Sequence, residues 1–329
     1  MSKLNLTIAC WDYDRVRPLM DGRVRVEGCE INVVPLAPEE VFFRAFKNAE
    51  FDVSELSLSS YMMAHARGTG RYTAIPVFLS RLFRHSSIYI RTDRGIATPA
   101  DLRGRRIGVP EYQMTAALVA RGVLQDEYGV NPAEIRWVRG GLEQPGREEK
   151  QQIDLPAGVV VETERERSLS DLLEAGLIDG LITARAPDCF GRAAHVGRLF
   201  ADAAAAERVW YGKTGIYPIM HAVGVRKDVL AAHPWVAASL QKAFTAAKDM
   251  ALAELDSREV ALKISLPFLS EHVAATRATL GPDFWPYGLG PNRVTLAAMT
   301  RWSFEQGLTS RHLDPAELFA PGTLEAAKI

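Results

Sequence analysis

Apolar residues fall along this chain in short runs that alternate with amphipathic stretches of helical period. Leu4 to Cys10 has the length and apolar content of a buried strand and leads into a polar loop, Trp11 to Arg15. After the Asp21-Gly22 turn, Val24 to Val34 reads as extended. Val41, Phe42, Ala45 and Phe46 recur at helical spacing and predict a helix over Pro38 to Asn48. Phe51 to Leu56 then predicts a strand, and Ser57 to Arg67 a helix with Ser57 as its N-cap. Tyr72 to Leu79 and Ile88 to Ile90, rich in aromatic and β-branched residues, predict two further buried strands. Between them lies a cationic loop, Ser80-Arg81-Leu82-Phe83-Arg84-His85-Ser86.

A second unit is expected to begin near Thr92. Thr98 to Gly104 makes a short capped turn, Arg105 to Val109 a strand, and Thr115 to Tyr128 a helix carrying Ala116, Leu118, Val119, Val123 and Leu124. Ile135 to Val138 continues the unit. The stretch 142–167 mixes acidic and basic residues and reads as a solvated polar flap, with Val159 to Val161 as half of a hairpin. Leu169 to Ala175 predicts a helix, Ile178 to Thr183 a strand, and His221 to Arg226 a strand returning to the first unit. Helices over Pro234 to Glu254 and Arg258 to Leu266 complete the pattern. Such alternation argues for an α/β fold in two lobes, each a mainly parallel sheet flanked by helices, with a ligand cleft between them. The expected division is 1–92 plus 196–329 as a discontinuous first lobe, and 93–195 as the inserted second lobe.

Composition narrows the function classes. Lys plus Arg (39) balance Asp plus Glu (40), so no global field draws the chain to nucleic acid or to an acidic membrane, and any anion site must be local. No apolar run reaches the length of a membrane span, and the run near Met1 is too short for a signal peptide, which sets the expectation of a cytoplasmic protein. Cys10, Cys29 and Cys189 are odd in number and widely spaced, as suits reduced thiols.

Four polar segments follow predicted strands: Asp12 to Arg15, Glu55 to Ser57, Arg81 to His85, and Glu111 to Thr115. In an open α/β sheet such positions share one edge and line one crevice. The helix starts at Ser57 and at Tyr112, Gln113 and Thr115 would offer backbone N–H groups to a carboxylate.

The run Leu102 to Val109 resembles the opening of the second lobe in type II periplasmic-binding-protein-like folds. Five co-ordered segments resemble the 4,5-dihydroxyphthalate decarboxylase family: Asp12 to Arg15, Phe51 to Tyr61, Ser80 to Ser86, Gly108 to Tyr112, and Thr214 to His221. The resemblance implies a cytoplasmic enzyme that removes one carboxylate from a hydroxylated aromatic dicarboxylate, most simply 4,5-dihydroxyphthalate to 3,4-dihydroxybenzoate and CO2. Its partners would be a small aromatic carboxylate and, as in many soluble enzymes of this size, further copies of itself.

Direct loss of CO2 would leave an aryl carbanion orthogonal to the π system, so the ring carbon must be protonated first. That needs an acid above the carbon, a base at the phenol para to it, and cations on the second carboxylate. His85 and His221 are the candidates for proton transfer. Arg81, Arg84 and Arg185 are candidates for bidentate carboxylate binding. Asp12, Asp14 and Glu55 would orient a histidine, accept the catechol proton, or pair with Arg15 or Arg84. No cofactor is expected; Asp12, His85, Glu55 and His221 could alternatively ligate a divalent metal, although no short-range ligand spacing supports this. Two other readings stay open: a non-catalytic binding protein for a small aromatic or amino-acid-like anion, and a dehydratase-type lyase on the same fold.

Overall fold

Strands and helices alternate as their hydrophobic periods require. The computed structural model describes residues 3–256 and 264–324. In chain order its strands are β1 (Leu4–Cys10), β2 (Cys29–Pro35), β3 (Val53–Ser57), β4 (Tyr72–Arg81), β5 (Ile88–Arg91) and β6 (Arg106–Val109). They continue with β7 (Arg136–Arg139), β8 (Val160–Thr163), β9 (Gly180–Ile182), β10 (Val196–Arg198) and β11 (Ile219–Arg226). One sheet has the order β2-β1-β3-β11-β4 and the other β10-β5-β9-β6-β7-β8. Each is mainly parallel with one antiparallel strand inserted, β11 between β3 and β4, and β5 between β10 and β9.

The chain crosses between the sheets twice, through residues 82–87 and through 199–218. The first crossing is the cationic loop, shorter than the sequence suggests because β4 runs on to Arg81. Since β5 and β10 pair with each other in the second sheet, 88–91 and 196–198 fall on the second-lobe side of the expected boundaries at 92/93 and 195/196. The return strand is an interior one: β11 hydrogen-bonds to both β3 and β4, and all of β3 is buried, its polar Ser54, Glu55 and Ser57 included.

The Pro38–Asn48 and Thr115–Tyr128 helices occupy the expected spans. Ser57 stands at the N-cap of the Leu58–Ala66 helix, yet its side chain makes no capping bond there. Thr115, from the other lobe, accepts from the Ser59 N–H instead, at 3.1 Å. The hairpin expected around Val159 is replaced by an edge strand, since β8 pairs parallel to β7. The helix expected at 258–266 falls largely on 257–263, outside the described residues; Val236–Glu254 forms the helix before it. No helix among the described residues is long and apolar enough to cross a membrane.

Candidate functional site

A pocket opens where the ends of β3 and β11 meet the start of the Thr115–Tyr128 helix. Its lining includes Ser57, Arg84, Thr115, Lys150 and His221. Ser57 Oγ and Thr115 Oγ1 lie 3.0 Å apart and tie the two lobes at its floor.

His221 belongs to β11 and Glu55 to β3. In their antiparallel register His221 faces Ser57 and Val223 faces Glu55, so the histidine and the glutamate are diagonal neighbours on one face. Nδ1 of His221 is 2.6 Å from Glu55 Oε1. Glu55 also accepts from Tyr13 Oη at 2.7 Å and from the Trp11 N–H at 2.9 Å. Burial alone would push this carboxyl up. The hydrogen bond and charge of His221, with the Trp11 and Tyr13 donors, outweigh it and hold Glu55 below the usual carboxylate range. An ionised carboxylate only accepts, so Nδ1 carries the proton toward Glu55 and Nε2 is left for a ligand. The imidazole also makes a T-shaped contact with the Phe42 ring, with centroids 4.8 Å apart.

Arg84 supplies a cation. It lies on the crossing between the sheets, and its guanidinium donates to Met220 Sδ in one lobe and to the Ala184 carbonyl in the other. It is 6% exposed and forms no ion pair among the described residues, and desolvation pushes it down to about 10, which still leaves it charged at neutral pH. A buried cation without a carboxylate is costly unless something else supplies the anion.

Opposite it lies an ion cluster from distant parts of the chain. Lys150 bridges Glu39 at 2.9 Å and Glu111 at 3.3 Å. Arg147 donates to Glu39 and to Glu111 as well. Glu149, in the same segment, accepts from the Tyr112 N–H at 2.5 Å, and burial pushes its carboxyl up. Of these five charged residues only Glu111 stands out in the sequence, in the polar segment that follows a predicted strand. Three of them, Arg147, Glu149 and Lys150, sit in the mixed-charge insert that reads as solvated, and no local period marks them.

Glu55, Ser57, Arg84, Thr115 and His221 are thus brought together, and the remaining candidates are elsewhere. Asp12 is exposed and paired with Arg17 at 2.8 Å, and Asp14 is exposed and paired with Arg15. Arg15 donates to the Leu79 carbonyl and stacks between Tyr13 and Trp285. Arg81 is buried against the Tyr217 and Pro286 carbonyls, fastening the loop before the last long helix to β4. His85 packs among Phe200 and Trp210, and neither ring nitrogen has a hydrogen-bond partner. Burial pushes it down to about 4, so it is neutral at ordinary pH. Tyr112 turns its ring onto Arg121, whose guanidinium is 3.7 Å from the ring centroid. Gln113 is buried and donates to Glu111 at 3.2 Å, and Arg185 is exposed just beyond Ala184 on the rim. The set Asp12, His85, Glu55 and His221 is therefore dispersed, and no His, Cys, Asp or Glu cluster suited to a metal ion occurs among the described residues. All three cysteines are buried, and desolvation pushes their thiols up, away from nucleophilic reactivity.

Comparison with known proteins bears on both fold and chemistry. The chain is 49% identical to a 4,5-dihydroxyphthalate decarboxylase of Comamonas testosteroni, over 331 aligned residues that cover both chains completely. It is 50% identical to one of Pseudomonas putida over 213 residues, 64% of this chain and 83% of the other. A family model described as the periplasmic substrate-binding protein of a phosphonate ABC transporter matches residues 13–144. Among solved structures, the aliphatic sulphonate binding protein SsuA of Escherichia coli superposes with a TM-score of 0.52 at 13% identity, covering 98% of this chain and 99% of that one. The desulfurization enzyme DSZB gives 0.53 at 15%, covering 98% of each. These likenesses show the two-lobed type II periplasmic-binding-protein-like fold, which carries transport proteins and enzymes alike.

Proposed function

The chain belongs to the 4,5-dihydroxyphthalate decarboxylase family, and we propose that His221, oriented by Glu55, moves the proton on which its carboxy-lyase reaction depends. The enzyme converts 4,5-dihydroxyphthalate to 3,4-dihydroxybenzoate and CO2. Family membership sets aside the non-catalytic binding protein and the dehydratase-type lyase.

In the proposed sequence the hydroxyl para to the departing carboxylate loses its proton, and its electrons raise the basicity of the carboxylate-bearing carbon. His221, protonated, delivers the proton from Nε2 to that carbon. The C–C bond to the carboxylate then breaks, its electron pair returns to the ring as aromaticity is restored, and CO2 leaves. The phenolate is reprotonated, so one proton is taken up from water per turnover. Glu55 holds the imidazole in one orientation, which leaves Nε2 to carry the proton. Arg84 takes the retained carboxylate, with the Ser57 and Thr115 hydroxyls beside it.

The observation that carries the proposal is the buried Glu55 on Nδ1 of a histidine that faces a pocket holding an uncompensated guanidinium. The test is turnover of 4,5-dihydroxyphthalate in deuterated water, followed by chromatography and mass spectrometry. One deuterium at the vacated ring carbon is expected. Intact substrate, or product without ring deuterium, overturns the scheme. The proposal extends to a cytoplasmic, homo-oligomeric enzyme; three unpaired thiols suit a reducing compartment, and cell fractionation and light scattering test both points.

A further inference from the structure

The pocket at His221 is too small for its substrate. Its volume is about 50 Å³, whereas small-molecule sites take roughly 300–1,000 Å³. Directly beside it is a groove of about 790 Å³, between the Pro38–Asn48 helix, the Leu58–Ala66 helix and residues 147–151. The two spaces share Glu39, Phe42, Glu111 and Lys150 as lining, so they are separated by side chains and not by a sheet or a helix.

The groove has the chemistry of an aromatic anion site. Phe42, Phe43, Phe46, Tyr61 and Tyr72 line it with ring surface. Lys47 and Arg71 lie on it as well, and neither forms an ion pair among the described residues. The dividing wall is built to yield. Residues 147–152 have no regular secondary structure and are held by Arg147 and Lys150 on Glu39 and Glu111, by Glu149 on the Tyr112 N–H, and by Gln151 Nε2 on the Ser60 carbonyl at 2.8 Å. A dicarboxylate arriving at this wall offers Arg147 and Lys150 the same kind of partner they already have, so opening exchanges one ion pair for another instead of baring a charge.

We propose that this groove is the access site for the aromatic dianion, a first binding station from which the ring passes Phe42 and the Arg147–Lys150 wall to reach His221. The inference rests on the decarboxylase reading and adds a second binding position to it. Phe42 lines both spaces, and its ring centroid lies 4.8 Å from that of His221, so the route ends at that imidazole.

The native cysteines are all buried, so a thiol reagent would address only an engineered site. Thr69 is exposed just after the turn at Arg67 and Gly68, on the groove and away from the pocket. Unlabelled Thr69→Cys enzyme is the reference for its own labelled form, so any effect of the substitution itself cancels. After reaction with pyrene maleimide its kcat/KM should fall about tenfold or more, and substrate should slow the labelling. Independently, Arg71→Glu should raise KM several-fold at low salt and flatten the salt dependence of kcat/KM, with kcat unchanged, because steering to an exposed cation is screened by salt. If the wild type and the unlabelled variant turn over substrate, and neither the label nor the charge reversal changes kcat/KM, the access site is wrong and the reaction assignment stands. If wild-type protein leaves 4,5-dihydroxyphthalate intact, the reaction assignment itself fails.

Discussion

His221 and Glu55 sit diagonally across two antiparallel strands, with Nδ1 2.6 Å from a carboxylate oxygen whose side chain is wholly buried while the imidazole keeps 17% exposure. Proton access is thereby confined to the other ring nitrogen. Neither residue is near the other in sequence, and neither is catalytic by type alone. What joins them is the two-residue period of β3 and β11, which puts Glu55, Ser57, His221 and Val223 on the same face.

Replacing Glu55 by Gln keeps the shape and removes the carboxylate that Nδ1 of His221 meets at 2.6 Å. The kcat of Glu55→Gln should fall by about 10²-fold, within the range for general acid–base groups, with KM changed less. His221→Asn should lose at least as much. Steady-state kinetics across pH checks both. A Glu55→Gln enzyme with wild-type kcat would remove Glu55 from the reaction.

Arg84 should separate binding from stability. Because its guanidinium is buried without a carboxylate, Arg84→Met removes a desolvated charge while keeping much of the side-chain volume. Loss of a charge-assisted contact worth about 1.5–3 kcal/mol should raise KM roughly 10- to 150-fold. Thermal unfolding should show a Tm equal to or above that of wild type. A marked fall in Tm would mean that the bonds to Met220, Ser87 and Ala184 stabilise the fold more than burial of the charge weakens it.

How far the sequence reveals this site depends on the range of the forces involved. Strand and helix periods are local, so the alternation, both lobes, the strand end carrying Glu55 and Ser57 and the helix start carrying Thr115 can be read directly. Arg81 cannot be assigned that way, because its partners are carbonyls 136 and 205 residues along the chain. Asp12 has the opposite character: Arg17, five residues on, claims it before it can reach the cleft. The cluster of Glu39, Glu111, Arg147 and Lys150 is the least legible part. Lys150 finds Glu39 across 111 positions, and a mixed-charge insert has the same composition whether its ions meet water or each other.

His85 provides a pH test. Burial pushes it from 6.5 down to about 4 in the folded protein. Between those values the unfolded chain holds the proton and the folded one does not, so stability falls as pH drops through that window. The shift corresponds to a loss on the order of 3 kcal/mol when complete. His85→Phe, which suits the ring contacts with Phe200 and Trp210, should flatten the change in urea midpoint between pH 7.5 and pH 5. Its kcat should stay within about threefold of wild type, whereas a proton donor at this position would lose about 10² or more. An unchanged pH slope would show that other groups set the acid sensitivity.

Gly122 lies in the helix that begins at Thr115, and helix propensity alone favours Gly122→Ala by about 1 kcal/mol. Packing against the Leu289–Glu305 helix reverses the sign. A Cβ at this position would lie 2.7 Å from Trp302 Cγ and nearer still to two other atoms of the indole. That ring cannot retreat, since Trp302 is fully buried and its Nε1 donates to Asp126 at 2.8 Å. Overpacking of this kind costs about 1–3 kcal/mol, so Gly122→Ala should lower stability despite the gain in propensity. The partner change Trp302→Leu, which makes room, should offset part of the loss, giving a coupling of about 0.5–3 kcal/mol in a double-mutant cycle read by urea unfolding. Additive effects would mean that the added methyl does not act through Trp302. Kinetics on the same variants follow the strain to the site: a helix pushed away from Trp302 carries Thr115 with it, so KM should rise in Gly122→Ala and recover in the double variant.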